Sequence, residues 1–222
     1  MSPLQIARLA HENREVDARA CRFPVPTRMT AIERDLARHT AANSQIFKTL
    51  MKPENADQII DAIPSTQDTA LHVLLCGDFV FFDLVSRLVS RLGSPVAMTI
   101  TTLSLSLKNL VALEDLLNRF GGFQIDLVIS SYFESTSKDI FCALEHLASK
   151  FAARLVITIG RSHAKIILLD YGPDAGVYVM ETSSNLRSSN CLEQLSIFQE
   201  RALYDFHATW IREFIAAQAA KK

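Results

Sequence analysis

Residues 161–170 read RSHAKIILLD: an imidazole, an ammonium two positions on and a carboxylate five further, inside a run otherwise apolar enough for a buried strand. Side chains alternate across a strand, so His163 and Lys165 share one face while Ala164, Ile166 and Leu168 take the other. Asp170 has the opposite parity from His163 and is expected outside their pocket. A second polar stretch, ETSSNLRSSNCLEQ (181–194), places Ser183 and Asn185 on one parity as well. Two adjacent strand ends would thus bring a cation, neutral donors and a titratable nucleophile to one point, which is the inventory of a phosphate site. A phosphodiester is anionic, so attack on phosphorus needs its charge screened, and fixed donors in a water-poor pocket stabilise the pentavalent transition state. Imidazole is a good neutral nucleophile near pH 7. This chemistry requires no metal and no cofactor.

The elements that must position these residues begin at about residue 67. LHVLLCG (71–77), VAMTITTL (96–103) and IDLVISSYF (125–133) read as strands, and each precedes a helical stretch. The first helix carries Phe82, Val85, Leu88, Val89 and Leu92 and ends at Gly93; the second ends at Gly121-Gly122; the third is capped by Ser137. Three β-α units in series imply a largely parallel, covered sheet. After residue 153 the connections shorten: ARLVITIG (153–160), AKIILLD (164–170), GVYVMET (176–182) and LEQLSIFQ (192–199) read as closely spaced strands with antiparallel neighbours. A closing amphipathic helix carries Leu203, Phe206, Trp210 and Phe214. Residues 1–66 are charged and helix-leaning, with Ile32, Leu36, Ile46, Phe47 and Leu50 on one helical face, and read as a helical appendage. The expected architecture is α/β: a mixed β-sheet flanked by helices on both faces over 67–222, with that appendage over 1–66.

Composition narrows the function classes. The chain has 222 residues, 49% of them hydrophobic and 21% charged, as in an ordinary globular protein. A net charge of −1 gives no global pull toward nucleic acid or anionic membrane, so polyanion binding has to come from a local cluster. Cys21, Cys76, Cys142 and Cys191 stand singly, as expected of a reduced compartment. No secretory signal or membrane-length apolar run is evident, and a cytoplasmic protein without stable membrane association is expected.

The stretch HAKIILLD resembles the H-x-K-x4-D signature of the phospholipase D superfamily, and TSSN sits where that family carries G-S-x-N. The resemblance covers about residues 67–222 and points to the short, single-motif nuclease branch. It implies that His163 attacks phosphorus to form a phosphohistidine, that Lys165 and Asn185 hold the non-bridging oxygens, and that Ser183 supports that contact. Glu193 matches the acidic residue that orients the histidine, and Asp170 takes a structural part behind the strand. The family's glycine is Thr182 here, a β-branched residue where glycine would let backbone approach the phosphate. Arg161 and Arg187 flank the motif as candidates for a positive rim, while Met98, Thr99, Thr101 and Thr102 read as strand filler.

Proton counting adds a partner. A leaving alkoxide needs an acid, yet His11, His39, His72, His146 and His207 lie in no setting comparable to that of His163. A second copy of His163 in a C2 homodimer is the natural donor. The leading expectation is therefore a metal-independent phosphodiesterase that cleaves DNA or RNA as an endonuclease. Two alternatives stand beside it: hydrolysis or transfer at a phospholipid or small phosphodiester, and a non-catalytic dimeric phosphate- or nucleic-acid-binding protein.

Overall fold

A computed structural model describes residues 47–51, 56–63, 69–76, 80–187 and 191–221. Among these residues eight strands form one sheet: β1 (Phe47–Met51), β2 (Thr69–Cys76), β3 (Ala97–Thr102), β4 (Gln124–Ser130), β5 (Leu155–Gly160), β6 (Ile166–Asp170), β7 (Val177–Thr182) and β8 (Leu192–Phe198). The order across it is β1-β2-β8-β7-β6-β3-β4-β5. β1 runs parallel to β2, and β3, β4 and β5 are parallel neighbours. β2, β8, β7, β6 and β3 pair antiparallel in succession. The mixed α/β architecture expected from the sequence is the one found.

Six helices accompany the strands among the described residues: α1 (Ala56–Asp61), α2 (Phe81–Leu92), α3 (Leu107–Arg119), α4 (Ser131–Thr136), α5 (Lys138–Lys150) and α6 (Arg201–Ala219). Helices α1 to α5 pack on one face of the sheet. There Ile59, Phe82, Leu88, Leu117, Phe133 and Leu144 from the helices share a core with Val73, Ile100, Leu127, Ile129 and Met180 from the strands. The opposite face is covered by α6 over β5, β6 and β7, where Val128, Leu168 and Val179 pack against Ile211, Trp210 and Phe214. Gly160 at the end of β5 sits directly under α6: a Cβ there would lie 2.5 Å from Phe214 Cζ.

Three local expectations are corrected. Phe47 and Leu50 lie in a strand, not on a helical face, because β2 takes this segment as a parallel backbone partner and tertiary pairing overrides a weak helical period. Residues 1–46 of the expected appendage, Ile32, Leu36 and Ile46 among them, lie outside the described residues. Residues 131–133 do not extend the strand before them. Ser130 accepts a hydrogen bond from the Tyr132 backbone N–H at 3.3 Å and starts the short helix α4. Ser137 is the N-cap residue of α5, but its side chain makes no capping hydrogen bond. Gly93 ends α2 as expected, at φ 91°, where a side chain would be strained.

Candidate active site

The pairing registers bring the carboxyl ends of β2, β3, β4, β5 and β7 and the amino ends of β6 and β8 to one end of the sheet. In open α/β sheets ligands bind outside the carboxyl ends of the parallel strands. His163 and Lys165 lie there, on the segment joining β5 to β6. That segment is shaped by Ser162, whose N–H bonds the Gly160 carbonyl at 2.9 Å and whose Oγ accepts from the Ala164 N–H at 3.2 Å. Its far end is fixed twice: the Lys165 carbonyl accepts from the Thr182 N–H at 3.1 Å, and buried Thr101 Oγ1 accepts from the Ile166 N–H at 2.9 Å. Thr101 is thus an anchor of the Lys165 segment rather than strand filler. Only the long-range register of β3 with β6 reveals this.

Lys165 Nζ lies 3.1 Å from His163 Nδ1 and 3.2 Å from the His163 carbonyl oxygen. An ammonium has no acceptor capacity, so in this pairing Nδ1 accepts and the neutral ring carries its proton on Nε2. Partial burial holds the Lys165 ammonium below its ordinary value, and the Glu193 carboxylate opposes that shift. Glu193 shares a sheet face with Leu195 and Ile197, as Lys165 does with Ile167 and Leu169, and all four apolar residues belong to the same core.

Ser183 Oγ donates to Glu193 Oε2 and accepts from the Gln194 N–H at 3.0 Å. The Glu193 carboxylate therefore engages Ser183 in this arrangement and not His163, which differs from the orienting role expected of it. Asn185 is half-buried, and its Oδ1 is shielded from solvent without a hydrogen-bond partner among the described residues. An amide with its oxygen turned inward presents its NH₂ on the other side, the donor that a phosphate oxygen takes. Thr182 in place of glycine has its hydroxyl engaged by backbone: Oγ1 donates to the Gln194 carbonyl at 2.7 Å and accepts from the Ser184 N–H at 3.0 Å. Its side chain thereby helps to shape the turn.

Asp170 is not brought to this cluster. It lies at the other end of β6, roughly 13 Å along the strand from Ile166. Its carboxylate accepts from the Gly172 N–H at 2.8 Å and faces Arg201 of α6 at 3.6 Å. These contacts tie the far end of β6 to the turn that follows it and to α6. Arg161 and Arg187 are both exposed beside the cluster. Among the described residues no group of three or more His, Cys, Asp and Glu side chains is placed to hold a metal ion.

The chain matches a solved polyphosphate kinase from Porphyromonas gingivalis with a TM-score of 0.55 at 13% identity, over 75% of this chain and 30% of that one. The chain shares the fold of the matched part of that kinase. At this identity the likeness is one of fold, and the chain spans less than a third of the kinase's length. A phospholipase D family member, Nuc from Salmonella typhimurium, also matches, with a TM-score of 0.45 and 17% identity over 61% of this chain and 87% of that one. No protein-family profile matches the sequence, and no curated protein does. Within this fold, the polar cluster is built by the late strands and by the segment that enters them from β5. No helix among the described residues is long and apolar enough to cross a membrane.

Proposed function

We propose that the chain is a metal-independent phosphodiesterase, an endonuclease cleaving DNA or RNA, that works in the cytoplasm as a homodimer. The observation that carries this reading is the gathering of His163, Lys165, Ser183, Asn185 and Glu193 at one end of the sheet, on a phospholipase D-like fold. A cation, neutral donors and an imidazole set together at the carboxyl ends of the parallel strands are what a phosphate group needs.

In the proposed reaction the resting ring first gives its Nε2 proton to solvent and takes one on Nδ1; His163 Nε2 then bonds to phosphorus as the bond from phosphorus to the leaving oxygen breaks. The departing alkoxide takes a proton from His163 of a second copy. A water molecule, deprotonated by that same second histidine, then displaces the first one from phosphorus and releases the phosphomonoester. Lys165 and the Asn185 amide donate to the non-bridging oxygens as negative charge builds on them. Ser183 and Glu193 supply the carboxylate and hydroxyl that take over Nδ1–H once Lys165 has moved to the phosphate. Asp170 acts from behind, by holding the far end of β6.

The test is incubation of the purified chain with single-stranded DNA, double-stranded DNA, RNA, inorganic polyphosphate and phospholipid vesicles, each with excess chelator. Cleavage of a nucleic acid that survives chelation is expected. Turnover confined to polyphosphate or lipid would replace the substrate and keep the chemistry. Activity lost with chelator and restored by Mg²⁺ would overturn the mechanism. Phosphate binding without any turnover would favour the non-catalytic binding protein.

A further inference from the structure

We infer that Asn109, a buried residue on α3, is a positioning residue that fixes the loop carrying Ser183 and Asn185. The inference rests on the phosphate-site reading, because that loop is where the reading puts its neutral donors. Asn109 is the third residue of α3 and completes a capping box there: its N–H donates to Ser106 Oγ, and its Oδ1 accepts from the Ser106 N–H at 2.8 Å. Ser106 Oγ also lies 2.9 Å from Oδ1, as a donor to it. The helix cap occupies only the oxygen of the amide. The nitrogen, Nδ2, reaches 77 positions along the chain and donates to the Leu186 carbonyl at 3.0 Å.

Leu186 is itself buried, and its carbonyl also accepts from the Phe82 N–H at the start of α2, at 3.3 Å. The loop is therefore tied at two points. At Ser183 the backbone N–H bonds the Gln194 carbonyl of β8 at 3.1 Å, and at Leu186 the carbonyl is held by α2 and α3. Ser184 and Asn185 are all that lies between the ties. The Asn185 carbonyl is held only from within the loop, by the Ser184 hydroxyl at 3.0 Å, so the orientation of the Asn185 amide depends on the second tie, which fixes the peptide that follows Leu186. Asn109 touches neither the reacting atoms nor the bound anion; it acts through Leu186.

The test uses two substitutions in the full chain. Asn109→Asp keeps an acceptor for the Ser106 N–H and hydroxyl but offers the Leu186 carbonyl no donor. Ser106→Ala weakens the helix cap and leaves the amide's donor in place. Two quantities are read for each at a temperature well below unfolding: the dissociation constant of inorganic phosphate, and the hydrogen-exchange rates of the amides at 184–187. For Asn109→Asp, weaker phosphate binding by about tenfold, the size of one lost hydrogen bond, and faster exchange at 184–187 are expected. For Ser106→Ala, a lower melting temperature with both quantities close to wild type is expected. Unchanged exchange in Asn109→Asp overturns the positioning role whatever phosphate does. Faster exchange with unchanged phosphate affinity overturns it as well, since the tie would then be structural only. If the wild-type chain binds no phosphate, the functional reading fails and the exchange result still reports on the tie by itself. Should Asn109→Asp not fold, Asn109→Ser is read in the same two ways.

Discussion

The contact between Lys165 and His163 makes a sharp statement about the resting site, and Lys165→Met tests it. The ammonium occupies the Nδ1 lone pair, and the neutral ring must then hold its proton on Nε2, which has no protein partner among the described residues. Neither nitrogen is a free nucleophile in that state. A hydrogen bond to a charged group is worth about 1.5–3 kcal/mol in net terms. His163 is exposed and Lys165 only partly buried, so solvent screening reduces this to roughly 1 kcal/mol. That corresponds to about a fivefold preference for the Nε2–H tautomer. Methionine keeps the length of the side chain and removes the donor.

The assay is nitrogen NMR of ring-labelled protein under conditions where the imidazole is neutral. Wild type should show an acceptor-type Nδ1 and a protonated Nε2. In Lys165→Met the share of the Nδ1–H form should rise. Inorganic phosphate added to wild type should move the spectrum the same way, because the anion competes for the ammonium. An Nδ1–H ring in wild type, or a spectrum that Lys165→Met leaves unchanged, would refute the reasoning. The same variant carries a stability prediction with a definite sign. Burial places the folded-state pKa of Lys165 below its ordinary value of 10.5, so the unfolded chain holds that proton more tightly. Stability therefore rises with pH between the lowered value and 10.5, and Lys165→Met should remove this rise from the melting temperatures.

Mixing wild-type and His163→Ala chains by refolding should lower nuclease activity as the square of the wild-type fraction if both copies of His163 serve each site; a straight line would show self-sufficient chains. Gly160→Ala should destabilise the protein by about 1 kcal/mol, at the low end of overpacking costs because the obstructing Phe214 ring can rotate away, and Phe214→Ala should relieve the clash in a double-mutant cycle; additive effects would contradict the contact. His207 is buried between the Trp210 indole, which donates to Nδ1 at 2.9 Å, and Glu181 Oε1, 2.7 Å from Nε2. Glu181→Gln keeps an acceptor there and should cost less stability in thermal unfolding than Glu181→Ala, which leaves a buried N–H unpaired at a cost of about 1–3 kcal/mol; equal costs would refute that bond.

Much of the fold can be read from the chain because its signals are local. Strand and helix alternate cleanly from residue 69 to 160, and the hairpin from β6 to β7 is short enough for Gly172 and Gly176 to turn it at positive φ. The pairing order is a different matter. β8 inserts between β2 and β7, and β6 lies beside β3, so neighbours in the sheet are distant in sequence. No local periodicity encodes that placement. At the site, His163, Lys165, Ser183, Asn185 and Glu193 stand out because their types and spacing are unusual for strand ends. Thr101 and Asn109 carry no such signal: one is an ordinary strand threonine, the other a common capping residue. Each acquires its part only through a partner more than 60 positions away.

The sheet order also explains why the nucleophile proposed here sits where it does. β5 ends at Gly160 and β6 starts at Ile166, yet β4 and β3 lie between them in the sheet. Three inter-strand steps span roughly 14 Å. Six peptide steps reach only about 20 Å when fully extended, and the Ser162 turn uses part of that length. The segment carrying His163 therefore crosses the carboxyl ends of β4 and β3 with little slack. A long loop at this place would leave an exposed histidine to wander, and the ordering cost would fall on substrate binding. A crossing this short, tied by Thr101 and Thr182 at its far end, meets most of that cost when the sheet forms. The point at which the parallel strands give way to antiparallel ones is thus also the point at which the imidazole and the ammonium are held together.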